Sequence, residues 1–156
     1  MRRDLSASLI VIGVLSIIFA AVFFVILPNM PQAKTNLRLG DGIFNAIIAA
    51  NKTNRDKGLS GITEFAPDQA LLMAFPSEGK WSIDMQDMKI PIDIVWLSAT
   101  KKVVYLVRNV LPDDSRIFTP LAGAQYVVEL PAGTIKSKAI AIGGIAIFQI
   151  NMGDIE

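Results

Sequence analysis

Asp84, Asp87 and Asp93 fall within ten residues of one another, with Trp81 just ahead of them and Trp96 just behind. Carboxylates accept hydrogen bonds from hydroxyls while an indole lies against the apolar face of a sugar ring, so this grouping has the composition of a saccharide-binding cleft. Hydrolysis of a glycosidic bond asks for more: one acid with a raised pKa and a second at a defined separation. The same residues also fit a structural role, in which Asp87 and Asp93 cap turns around Pro91 and the two tryptophans fill the core. In an extended strand, alternation places Asp84 and Met88 on one face and Met85 and Asp87 on the other, which would keep the acids from converging. Their oxygens could in principle take Ca²⁺, but nothing matches the D-x-[DN]-x-[DN]-G loop, and no metal or other cofactor is expected.

Two further charged residues stand out. Arg55 can pair with an acid or bind an anionic ligand, although a salt bridge from a helix end is the commoner use. Glu129 sits inside an apolar strand-like run, Tyr126 to Leu130. If it points inward it must be neutralised or paired, because an isolated buried carboxylate is costly; if outward, it is ordinary surface. Pairing of Glu129 with Arg55 is the expectation. Asn51-Lys52-Thr53 matches the N-glycosylation acceptor pattern, a match that also arises often by chance.

The chemistry left open is narrow. The chain has no Cys and no His, which removes disulfides, zinc-thiolate sites, thiol nucleophiles and the usual neutral-pH base. Of its 15 basic and 14 acidic residues, setting aside Arg2, Arg3 and Asp4 leaves 13 of each. That balance offers no basic surplus to meet phosphates, so no nucleic-acid partner is expected.

The chain has 156 residues, 52% of them hydrophobic, enough for one domain plus a membrane segment. The mean hydropathy of +0.46 is high for a domain of this size, and the excess lies at the start. Leu5 to Leu27 carries no charge, and at about 1.5 Å per residue a helix of that length crosses the roughly 30 Å hydrocarbon layer. Arg2 and Arg3 precede it, which predicts a cytoplasmic N-terminus and an extracytoplasmic remainder. The competing reading, a cleaved signal peptide, suits a shorter apolar run ending in a small-x-small site, whereas Ala20 and Ala21 are adjacent. The expected organisation is an anchor over 1–27, a polar stalk with two prolines over 28–34, and a domain over 35–156.

Within that domain, Ile43 to Ala50 follows the turn signal Gly40-Asp41-Gly42 and reads as a buried strand. Asn51 to Leu59 reads as a short helix, with Asn51 or Thr53 as N-cap and Gly58 ending it. Ala70 to Phe75, Trp81 to Met88, Ile92 to Leu97, Lys102 to Val110, Gln125 to Leu130 and Ile145 to Ile150 are further strand-length segments, and Gly133 to Ile140 holds a helical turn. Their close spacing favours antiparallel pairing, since a parallel crossover needs a dozen or more residues. About seven short strands with one or two short helices predict a mainly β fold, a closed or nearly closed barrel-like sheet or a sandwich.

Four elements occur in order: Arg55-Asp56-Lys57-Gly58-Leu59, then Leu72-Met73-Ala74-Phe75, then Met85 to Ile94, then Tyr126-Val127-Val128-Glu129-Leu130-Pro131-Ala132-Gly133. Together they resemble domain of unknown function 192, a widespread family of small β-rich domains, over about Ile43 to Ile150. The family often has Asn where this chain has Asp87, and commonly a Gly-Asp pair where Gly143-Gly144 stands. The resemblance implies a fold and no activity. The sequence thus describes a membrane-tethered extracytoplasmic binding module for a glycan or an envelope protein, using Trp81, Asp84, Asp87, Asp93, Arg55 and Glu129. A carboxylate-dependent glycan hydrolase and a purely structural envelope component are the alternatives.

Overall fold

Helix α1 (Lys52–Lys57) separates two strands that run parallel, and this one crossover sets the topology. The computed structural model describes residues 32–156, which form one compact unit. The apolar run Leu5 to Leu27 and most of the expected stalk lie outside them. Among the described residues no helix is long and apolar enough to cross a membrane.

The strands are β1 (Lys34–Leu39), β2 (Gly42–Ala49), β3 (Gln69–Gly79), β4 (Ile92–Leu97), β5 (Val103–Val110) and β6 (Ala124–Pro131). They form one open sheet in the order β1-β2-β3-β6-β4-β5. All neighbours are antiparallel except β2 and β3, whose connection through α1 is long enough for a parallel return. Helix α2 (Thr134–Ser137) follows β6.

β4 is buried along its whole length and β6 nearly so, because both faces of the sheet are covered. That is why these strands read as continuous apolar runs rather than alternating ones. One face packs Leu72, Val95, Val128 and Leu130 with Phe44 and Phe148. The other packs Leu71, Met73, Ile94, Trp96 and Val127 beneath the segment linking β3 to β4, which supplies Ile83, Met85 and Met88.

The structure corrects the expected strand set. Six strands form an open sheet, rather than seven in a barrel or sandwich. β1 was hidden by its polar start, Lys34-Thr35-Asn36, with only Leu37 and Leu39 buried. Trp81 to Met88 is not a strand: it makes a single bridge, Ile83 to Phe118, and Asp87 sits at φ 58°, outside the extended region. Ile145 to Ile150 is not a strand either, since Ile147 and Ile145 make isolated bridges to Arg38 and Lys102. β3 runs on beyond the expected end at Phe75, through Pro76, Ser77 and Gly79, residue types that usually mark turns. Helix α1 has the expected caps: the Asn51 side chain accepts from the Asn54 amide at 2.9 Å, and Gly58 stands at φ 51°.

Candidate functional site

Glu129 lies on β6 with Leu71 of β3 and Ile94 of β4 opposite it in register on either side. Alternation along β6 therefore turns its carboxyl toward the face covered by the β3–β4 connection, among apolar neighbours. It is 3% exposed, and its Oε2 has no hydrogen-bond partner among the described residues. Burial, with the negative charge of Asp84 adding to it, pushes the Glu129 carboxyl up to about 8. The side chain is thus a neutral acid at pH 7, able to donate as well as accept.

The carboxyl forms part of a cleft of about 830 Å³ bounded by α1, the turn after it, β3 and the β3–β4 connection. Gly58 brings the end of α1 down to this floor: a Cβ there would lie 3.8 Å from Glu129 Oε2 and 3.4 Å from the Met73 methyl. On the opposite wall, Trp81 and Phe75 stack with ring centroids 4.3 Å apart and planes 8° apart. Gly79 makes room for that indole, since a Cβ at Gly79 would lie 2.9 Å from Trp81 Cε2. The indole N–H donates to the Ser77 carbonyl at 3.2 Å, and Trp96 donates to the Trp81 carbonyl at 2.8 Å.

Asp84 and Asp87 line the same cleft. Because the connection is not extended, strand alternation does not separate them. Asp84 Oδ1 accepts from the Gln86 amide at 2.9 Å, an Asx turn that fixes the carboxylate. The connection is tied to the turn after α1 by Ser60 Oγ donating to the Gln86 carbonyl at 3.0 Å and by the Gly61 amide donating to the Asp87 carbonyl at 3.0 Å. Among the described residues no three acidic side chains are grouped closely enough to hold a metal ion.

Arg55 also borders the cleft, but the expected pairing with Glu129 is absent. Its guanidinium donates instead to the carbonyls of Ala50 (2.7 Å), Ala74 (2.9 Å) and Glu156 (2.5 Å), and it lies 4.9 Å from the Phe75 ring centroid. Partial burial lowers its pKa, the nearby charges of Asp56 and Glu156 opposing that effect. Backbone oxygens from three segments occupy the fork, so Glu129 is left without a counter-ion.

Asp93 is the expected residue that the structure removes from the group. It is fully buried, and alternation along β4 places it on the sheet face opposite Ile94 and Trp96. Its Oδ1 accepts from the Asn109 amide and its Oδ2 from the Ile135 amide, both at 2.7 Å. Asn109 stands at φ 51° where the β4–β5 register shifts, and Ile135 is in the first turn of α2, whose N-cap Gly133 has no side chain to offer. Asp93 therefore satisfies a bulge and a helix start at once. Phe75, Gly58 and Gly79, which shape the cleft, were not singled out as site residues, and no local spacing in the sequence brings them together.

With this geometry in hand, residues 35–145 match the DUF192 profile, described as Uncharacterized ACR. The chain belongs to the DUF192 family. Two similar proteins are the UPF0127 protein TK1120 of Thermococcus kodakarensis, 31% identical over 80 residues, and a UPF0127 protein of Thermococcus gammatolerans, 31% identical over 85. Those matches cover 50% and 53% of this chain and 49% and 54% of the relatives, so the chain spans about half the length of the curated relatives it matches. A crystal structure from Sinorhizobium meliloti, provisionally described as a transcription regulator, superposes with a TM-score of 0.73 at 22% identity, covering 77% of this chain and 97% of that one. A protein of unknown function from Novosphingobium aromaticivorans superposes at 0.68 and 18% identity, covering 74% and 84%. At these identities the two structures show a shared fold alone.

Proposed function

We propose that this DUF192 domain is a binding module for a hydroxyl-rich small molecule of saccharide type, taken up in the cleft between α1 and the β3–β4 connection. One observation carries the reading: Glu129 lines the cleft, and its buried Oε2 has no hydrogen-bond partner among the described residues. An unsatisfied buried oxygen costs about 1–3 kcal/mol, a cost that a ligand hydroxyl would remove. Asp84 and Asp87 add acceptors, and the stacked Trp81 and Phe75 add an apolar wall, the mixture that sugar recognition uses.

The uncharged run from Leu5 to Leu27 supports a tethered, extracytoplasmic setting for this module, with envelope glycans as its ligands. The balanced charge of the remainder gives no support to nucleic-acid binding, the role that the Sinorhizobium meliloti description would suggest.

The test is calorimetric titration of the full chain, held in a detergent without a sugar headgroup, with gluco-, chito- and manno-oligosaccharides. Saturable binding to at least one series, weakened tenfold or more by Trp81→Ala, is the expected result. Failure to bind any of them removes the saccharide class.

A further inference from the structure

We propose that the cleft hydrolyses a glycosidic bond, with Glu129 as the proton donor to the leaving oxygen and Asp84 as the carboxylate that activates water. The proposal rests on the binding reading above and adds chemistry to it.

The two acids reach the cleft from different elements and meet different surroundings. Glu129 rises from the middle of the sheet between Leu71 and Ile94, without a partner for Oε2. Asp84 is exposed on the β3–β4 connection, where the Gln86 amide holds Oδ1. No hydrogen bond engages Asp84 Oδ2 among the described residues, which leaves it to meet a water. Apolar burial keeps the Glu129 carboxyl protonated while Asp84 stands exposed with one oxygen held by an amide, the contrast in surroundings that acid–base hydrolysis of acetals uses. Asp84 is also near enough for its charge to act on Glu129. Arg55 does not quench the donor, since its N–H groups go to the carbonyls of Ala50, Ala74 and Glu156.

The step balances without an outside reagent. Asp84 takes one proton from water as the water oxygen bonds to the anomeric carbon. The bond from that carbon to the leaving oxygen breaks, and the Glu129 proton passes to that oxygen. Return of the proton from Asp84 to Glu129 through solvent restores both groups. The products are two hydroxyl compounds, one of them a free sugar hemiacetal.

The experiment uses the full chain with reducing-end-labelled gluco-, chito- and manno-oligosaccharides, measuring binding and product release in the same samples. Release is expected from a series that binds, its rate at matched occupancy of the cleft falling at least 100-fold in Glu129→Gln. Its alkaline limit should lie near 8, the value to which burial and Asp84 bring Glu129. In Asp84→Asn, an exposed change, residual release should be at least 100-fold lower, with its alkaline limit moved to lower pH because a charge that holds the Glu129 proton is gone. Binding without release overturns the catalytic proposal and leaves the binding module standing, whereas absence of binding overturns both. Release that survives either substitution within threefold also overturns it.

Discussion

Arg55 and Glu129 border one cleft yet share no hydrogen bond, the guanidinium being spent on three backbone carbonyls while the Glu129 Oε2 has no partner. An acid and a base of opposite charge at one site would ordinarily neutralise each other. Here the base ties the backbone together, and the acid is left facing the cleft.

That arrangement makes stability depend on pH. The Glu129 carboxyl is raised from 4.5 to about 8 by burial and by Asp84, so between these values the folded chain holds a proton that the unfolded chain has released. The unfolded state binds fewer protons, and stability therefore falls as pH rises through this window, by at most about 1.4 kcal/mol per unit for one group. The stabilisation is fully present below the unfolded value and lost once pH passes the folded one. Chemical denaturation between pH 5 and 9 should show this decline, and Glu129→Gln should flatten it, leaving the variant more stable than the parent at pH 9.

Asp93 serves the scaffold. Asp93→Ala strips partners from the partly buried Asn109 amide and the buried Ile135 amide, and at about 1.5–3 kcal/mol per charge-assisted bond the loss should be about 3 kcal/mol. Asp93→Asn should recover only part of it, because an amide presents one acceptor oxygen where two are used. Denaturant midpoints measure both, and oligosaccharide affinity of the folded fraction should stay unchanged, since Asp93 is on the other face of the sheet.

Arg55→Lys should behave much like Arg55→Ala. A single ammonium cannot reach the carbonyls of Ala50, Ala74 and Glu156 together, nor cover Phe75 as a planar guanidinium does. A loss of about 2–3 kcal/mol is expected for either, from hydrogen bonds to a charged group. Amide exchange should quicken at Glu156, whose N–H donates to the Ala50 carbonyl at 2.9 Å.

At Asp87 the backbone decides. With φ at 58°, Asp87→Gly or Asp87→Asn should change stability by no more than about 0.5 kcal/mol, while a β-branched Asp87→Val should cost about 1–2 kcal/mol. Thermal denaturation of the three variants separates this strain from loss of the carboxylate, which all three share.

Much of this was legible in the sequence where a local rule decided it. The apolar runs of β4 and β6, the Asn51 cap and the Gly58 stop each follow from residues near in sequence. What was not legible depended on partners far along the chain. The strand-like Trp81 to Met88 run is instead drawn over the sheet by Ile83, Met85 and Met88, which pack on β3, β4 and β6 residues. Its bends bring Asp84 and Asp87 to one cleft, which alternation had kept apart. The sequence leaves open whether Glu129 points inward and needs a partner or lies on the surface, and the competition for Arg55 from main-chain oxygens depends on the fold. β1 went unseen because an edge strand with two buried leucines carries little pattern.

At pH 7 Glu129 stands in the cleft wall as a protonated acid with no partner for its Oε2 among the described residues. Carbon-13 NMR titration of the full chain with labelled glutamate side-chain carboxyls tests it most directly, the Glu129 signal being the one missing from Glu129→Gln. A midpoint near 8 is expected for that signal. A midpoint at the ordinary glutamate value of 4.5 would contradict it.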